Sequence, residues 1–300
     1  MNAIDWPVKR REMFSHYLDS RRWNGFAFRD GDIVIATYAK SGTTWMQQII
    51  SQLVFGGVEG LAVHRLSPWV DLRVLPPEAF AALDTQTHRR FMKTHLPIDA
   101  LVFSPRARYV FIGRDGRDVA WSLHNHHANG NEDYFRLYNS GLPEGYPPLE
   151  PAPEDPRQFY RQWLARDGLP FWPFWSHLRS WWEVRHLPNV LLLHYNDLKA
   201  DLAGVIGRIA GFLHIPLDGD MLARVTAHSG FDYMKAHAEE VTPRGGSTWK
   251  GGARTFINEG TNGRWRDMLT AGEIEAYEQR AIAELGPDCA RWLADGGDVP

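Results

Sequence analysis

Ile33-Val34-Ile35-Ala36-Thr37-Tyr38-Ala39-Lys40-Ser41-Gly42-Thr43-Thr44-Trp45 reads as a strand that runs through a small-residue turn into a helix. The turn Arg29-Asp30-Gly31-Asp32 feeds the apolar run, and Trp45, Met46, Ile49, Ile50, Leu53 and Val54 follow with a helical period. Where a helix opens on such a loop, backbone N–H groups converge and the helix dipole favours negative charge, so this is a candidate anion site. Lys40 sharpens the reading. The chain holds six lysines against 27 arginines, so a lysine inside a Gly/Thr turn stands out from the background composition. A flexible point charge beside an anion cradle points to catalysis more than to anchoring.

The loop departs from the nucleoside-triphosphate P-loop pattern G-x-x-x-x-G-K-[ST]. Thr43 stands where the lysine belongs, Thr37 replaces the first glycine, and Lys40 lies two residues before Gly42. The charge therefore comes from the loop and not from the first turn of the helix.

Further strands are expected at Phe91-Met92-Lys93-Thr94-His95, Arg108 to Gly113 and Val190 to Tyr195, with helices from Val119 and over Leu202 to Leu213. Pro76-Pro77 opens a short helix. Near-continuous apolar strands alternating with helices predict a single α/β domain over 1–300, with a central parallel sheet flanked by helices. Ligands of such sheets bind beyond the carboxyl ends of the strands, where Lys40, His95, Arg114 and Tyr195 all fall. The Pro/Gly/acid-rich stretch 129–166 reads as a surface insertion or lid.

Composition narrows the classes. No run reaches the roughly 18 apolar residues of a bilayer span, and Met1 to Arg22 carries no apolar signal core, so a cytoplasmic location is expected. The lone Cys289 excludes a disulfide framework and fits a reducing compartment. A net charge of −3 argues against a general nucleic-acid partner. The 13 tryptophans need a home, which the core or an apolar pocket would supply.

Three separated segments resemble the cytosolic-type sulfotransferases, enzymes that use 3′-phosphoadenosine 5′-phosphosulfate (PAPS) as sulfuryl donor. Thr37 to Trp45 resembles the 5′-phosphosulfate loop, with Ala39 where proline is usual. Lys93-Thr94-His95-Leu96-Pro97 resembles the catalytic strand end, and Arg114 to Ser122 the 3′-phosphate segment. Ser67-Pro68-Trp69 and His88-Arg89-Arg90-Phe91 look most similar to bacterial glycolipid-type members. The resemblance implies a P-loop-like sulfotransferase fold and PAPS as co-substrate without a metal. It also implies a small-molecule hydroxyl acceptor, apolar or glycolipid-like.

The residue chemistry fits that implication. Sulfuryl transfer, like phosphoryl transfer, is an in-line displacement with charge spread over peripheral oxygens. Lys40 would stabilise the leaving phosphate, cradled by Ser41, Gly42, Thr43 and Thr44. His95 would take the acceptor proton, and Lys93, two residues away on the same strand face, would support the transferring group. Arg114 and Ser122 would clamp the 3′-phosphate. Trp45 and Phe231 would sandwich adenine and Tyr195 bound it. Ser229-Gly230-Phe231-Asp232-Tyr233-Met234 resembles the adenine-side segment.

One departure matters. The family's Arg-Lys-Gly triplet is here Asn258-Glu259-Gly260, which puts an acid beside a dianionic phosphate and predicts weakened donor binding unless Glu259 points away. Arg254, Arg264 and Arg266 are nearby candidates to compensate.

His124, His126 and His127 lack the partners of a metal site and are expected on the helix after Ser122, some facing the acceptor. Phe171 to Trp182 and the Pro-rich stretch are expected around an apolar acceptor pocket, with about half of the rings in the core. Arg266-x-x-x-Thr270-Ala271-x-x-x-Glu275 faintly resembles a dimerisation motif, which keeps a homodimer open. Two rivals remain: a P-loop-type kinase using Asp115 or Asp197 for Mg²⁺, and a catalytically weakened protein that binds PAPS or its product, adenosine 3′,5′-bisphosphate (PAP).

Overall fold

The computed structural model describes residues 4–300. Strand β1 (Ile33–Thr37) lies inside a four-stranded sheet, with β2 (Phe91–Thr94) on one side and β3 (Arg108–Gly113) on the other. Beyond β3 lies β4 (Val190–His194), giving the order β2-β1-β3-β4 with every pair parallel. All five residues of β1 are buried, as a continuous apolar run covered on both faces requires.

Alternation along the strands divides the core. Ile33, Ile35, Val110, Ile112 and Leu193 pack with Ile49, Ile50 and Leu53 of the helix Thr43–Val54 and with Ile206 and Ile209 of the helix Leu202–Leu213. Val34, Ala36, Tyr109, Phe111 and Leu192 face the opposite layer, where Trp175 and Trp181 of the helix Phe174–Glu183 and Trp292 near the C-terminus are buried. Each buried Val, Leu, Ile or Phe side chain among them contributes about 1.5–3 kcal/mol. The tryptophan excess is thus largely core: Trp23, Trp163, Trp172, Trp175 and Trp181 are all nearly inaccessible.

At the amino end of the sheet, Arg90 and Asp32, both at most 2 % exposed as side chains, form a bidentate pair joining the entries to β2 and β1. At the carboxyl end, register brings the active segments together. Ile35 pairs with Lys93 and Ala36 with Thr94, so Thr37 and His95 leave the sheet side by side. The outer edge of β2 is covered by residues 68–70 through the bonds Lys93 N–H to Pro68 O (2.9 Å) and Val70 N–H to Lys93 O (3.1 Å).

Several boundaries differ from the sequence expectation. The helix expected from Val119 begins at Gly116, because the Asp115 carboxylate caps the Arg117 N–H. β2 ends at Thr94 and β4 at His194, and Tyr195 already begins the helix Tyr195–Ala200, capped by the His194 ring. The stretch 129–166 holds two helices, Glu132–Asn139 and Pro156–Ala165, which bury Tyr134, Phe159, Tyr160 and Trp163 in the core. No helix among the described residues is long and apolar enough to cross a membrane.

Candidate active site

A cavity of ≈ 1140 Å³ opens along the carboxyl ends of β1, β2 and β3. Lys40, Gly42, Thr43, Thr44, Trp45, Lys93, His95, Arg114, Ser122, Tyr195, Phe231, Met234, Asn258 and Gly260 all line it. Ser41 and Ser229 do not. Both are buried, and neither hydroxyl has a partner.

The loop after β1 explains its own composition. Gly42 sits at φ +109, a conformation that favours glycine, and a Cβ there would also crowd the Tyr195 ring at 3.1 Å. No side chain caps the helix Thr43–Val54. Its first satisfied amide is Met46 N–H to Gly42 O, which leaves the Thr43, Thr44 and Trp45 amides available to an anion. Thr43 and Thr37 hydroxyls bond at 2.6 Å. Lys40, itself at φ +65, lays its ammonium over the Phe256 ring at 4.4 Å. Burial, then the charges of Arg114 and Lys93, push its pKa down to about 7.

At the end of β2, Lys93 donates to Gln47 Oε1 at 3.2 Å, and burial lowers its pKa to about 8. His95 Nδ1 lies 2.7 Å from the Thr37 carbonyl oxygen. That carbonyl can only accept, so Nδ1 carries the proton and Nε2 keeps its lone pair. Burial, reinforced by Lys93, holds the imidazole well below its usual pKa and therefore neutral.

Asp71 holds this arrangement in place. It is fully buried and accepts from the Trp23 indole (3.0 Å), the Trp69 indole (2.7 Å) and the His95 backbone N–H (3.1 Å). Trp69 in turn stands edge-on to the imidazole at 4.6 Å. Burial raises the Asp71 pKa against those donors. Sequence reading passed over Asp71; its only trace was an acid two residues after Trp69 in an otherwise apolar stretch.

Arg114 is 6 % exposed and stacks on Tyr195 at 4.3 Å. Its hydrogen bonds go to neutral oxygens: Lys40 O (2.8 Å), Thr261 O (3.2 Å) and Asn262 Oδ1 (2.6 and 3.1 Å). The neighbouring acids are engaged elsewhere, Asp115 with Arg117 and Asp118 with the Gly263 amide. The guanidinium charge thus remains available to an anion. Asn262 and Thr261 were also missed by sequence reading, because loop contacts this distant leave no periodic signal. Glu259 pairs with Arg264, so the acid that threatened the phosphate site is held by one of the arginines named to offset it.

On the remaining wall, Trp45 donates its indole N–H to Ser229 O at 2.8 Å and meets Tyr195 edge-on. Phe231 is 39 % exposed and lies against Gly260, where a Cβ would approach its ring to 3.0 Å. The lining also includes apolar side chains of Leu72, Leu75, Ala79, Ala82, Phe171 and Trp172. Trp175, Trp181 and Trp182 take no part in it. The prolines at 147, 148, 151 and 153 line a separate cavity of ≈ 410 Å³.

The three histidines go separate ways. His124 bonds to Pro153 O, His127 is buried among Tyr134, Phe135 and Phe171, and His126 lines the large cavity. Among the described residues no three His, Cys, Asp or Glu side chains are grouped to hold a metal ion.

The chain is similar to known proteins over most of its length. A model of the sulfotransferase domain matches residues 30–286. A glycolipid sulfotransferase of Mycobacterium bovis (strain BCG / Pasteur 1173P2) is 34% identical over 321 residues, covering 99% of this chain and 98% of the relative. Human sulfotransferase 2B1 is 32% identical over 261 residues, covering 84% and 65%. The crystal structure of mouse sulfotransferase SULT7A1 complexed with PAP superposes with a TM-score of 0.68 at 21% identity, covering 90% of each chain, which establishes a shared fold.

Proposed function

The chain belongs to the sulfotransferase family, and we propose that it moves a sulfuryl group from PAPS to a hydroxyl of an apolar or glycolipid-like small molecule. One observation carries the reading: a neutral His95 with Nε2 free, beside Lys93 and Lys40, in the cavity that also holds Arg114 and Ser122.

The donor supplies an activated sulfuryl group joined to phosphate, less charged than a phosphoryl group, so lysines and amides suffice around it. The uncapped amides of Thr43, Thr44 and Trp45 fit its 5′ end, Arg114 and Ser122 its 3′-phosphate, and Trp45, Phe231 and Tyr195 its base. Ser229, Met234, Asn258 and Gly260 support that wall. Unpartnered amides and a guanidinium hydrogen-bonded only to neutral oxygens are what such a dianionic ligand needs.

In the transfer, the acceptor oxygen forms a bond to sulfur as the sulfur–phosphate oxygen bond breaks, and the acceptor proton passes to His95 Nε2. Lys40 leaves the Phe256 face to neutralise the departing phosphate oxygen. Lys93 donates to the peripheral sulfuryl oxygens, and Asp71 keeps the His95 backbone and the Trp69 wall in register.

Incubation with ³⁵S-labelled PAPS and a panel of phenols, alkanols, sterols and glycolipids tests the reading. Labelled product that needs His95 supports it. Binding of Mg-ATP in preference to PAP in a thermal-shift assay would favour the kinase reading instead. Donor binding without turnover by any acceptor would favour the weakened binding protein. A cytoplasmic location, a partner set without nucleic acid and a homodimer through residues 266–275 belong to the same proposal. Sedimentation analysis reads the last of these.

A further inference from the structure

We propose that His126 reads a second oxygen of the acceptor, close to the hydroxyl that is sulfated, so that the enzyme prefers a sugar- or polyol-headed molecule to a lone hydroxyl on an apolar frame. The inference rests on the sulfuryl-transfer reading above and names the residue that selects its acceptor.

His126 and Ser122 stand one turn apart on the helix Gly116–Ala128 and both line the cavity, about 6 Å apart along the axis. Phe256 links His126 to the reacting groups: the same ring receives the His126 imidazole at 5.8 Å and the Lys40 ammonium at 4.4 Å. The rest of the surroundings is aromatic, with Trp249 at 5.1 Å and Tyr134 at 5.8 Å.

Such a cage would be filled at lower cost by phenylalanine. Instead it holds an imidazole whose Nδ1 is buried without a partner and whose Nε2 makes no hydrogen bond within the protein. A buried polar group left unpaired is a cost that a ligand can recover. Burial, together with the Lys40 charge, holds the ring neutral, and with Nδ1 enclosed, Nε2 is the nitrogen left to a ligand. A hydroxyl can give or take the hydrogen bond that Nε2 lacks, whichever nitrogen carries the proton. His124 and His127 lack this position, one bonded to a carbonyl and the other lining the separate cavity.

The test compares octyl β-D-glucoside with 1-octanol, which share a chain and differ in the headgroup, using wild type, His126→Phe and His126→Asn. Turnover of labelled PAPS is measured, together with calorimetric binding of each probe to PAP-loaded protein. The wild type is expected to favour the glucoside. His126→Phe is expected to cut the glucoside-to-octanol ratio of kcat/KM by about tenfold or more, mainly through KM, with partial recovery in His126→Asn. PAP binding and far-UV circular dichroism report that each variant is folded.

A ratio that does not change with residue 126, a wild type that favours octanol, or glucoside that fails to bind the loaded wild type overturns the inference. Where the glucoside binds without turnover, weaker binding to His126→Phe supports it and equal binding overturns it. Failure of the underlying reading looks different: no PAP binding and no labelled product with any acceptor.

Discussion

Nδ1 of His95 points at the backbone carbonyl oxygen of Thr37, 2.7 Å away across the ends of two paired strands. A backbone acceptor of this kind sets the tautomer through the fold itself, with no carboxylate behind the ring. The base therefore gains orientation without a compensating negative charge, and burial beside Lys93 keeps it neutral.

His95→Ala is expected to lower kcat by about 10²–10⁴-fold, with PAP affinity measured by calorimetry within twofold of wild type. In the kcat/KM profile of the wild type, the acid limb should lie below the ordinary imidazole value of 6.5, because the neutral form persists to lower pH. A limb centred at or above 6.5 would contradict the buried environment.

Donor affinity should depend on pH through Lys40, whose pKa in the empty site is about 7. Below that value the ammonium is already formed and affinity is flat. Above it, binding an anion must draw in a proton, and affinity should fall by up to about tenfold per pH unit. Calorimetry of PAP in buffers of different ionisation enthalpy at pH 6, 7 and 8.5 checks this, with proton uptake growing over the series.

Glu259→Ala should tighten PAP binding by about two- to fivefold at low salt and by less at high salt. The effect on unfolding should stay under about 1 kcal/mol, since the pair it forms with Arg264 is half-exposed. Unchanged or weaker binding would mean that the ion pair organises the loop carrying Asn262.

Two buried acids should separate stability from catalysis. Asp32→Ala removes the buried bidentate partner of Arg90 and leaves it only the exposed Asp84, which should cost about 3–5 kcal/mol in denaturant unfolding. Asp71→Asn turns an amide N–H towards groups that are themselves donors, at a cost of about 1–3 kcal/mol. It should also lower kcat while leaving the PAP dissociation constant near wild type. Equal losses of kcat and stability in both variants would remove Asp71 from the positioning role.

The parallel sheet and its loop were legible because they are local. An apolar run, a Gly/Thr turn and a 3.6-residue period lie within 22 residues of one another, and Lys40, Lys93, His95 and Arg114 each sit at a strand end whose position the pattern predicts. Boundaries slipped where a side-chain cap decided them, as Asp115 did for the following helix. The aromatic run could not be sorted between core and pocket from sequence, since Phe171 and Trp175 are buried in one core and only Phe171 also lines the cavity.

By itself the sequence determined the four strands in chain order, the helices that follow β1 and β3, the placement of cations at the carboxyl edge and the family, because these depend on residue type and short-range spacing. Tertiary structure alone decided which charges are free. Arg114 bonds only to neutral oxygens, Glu259 is drawn to Arg264, and Asp71 reaches the His95 amide from 24 residues away. Burial and pairing depend on what the rest of the chain brings alongside, and no local pattern carries that information.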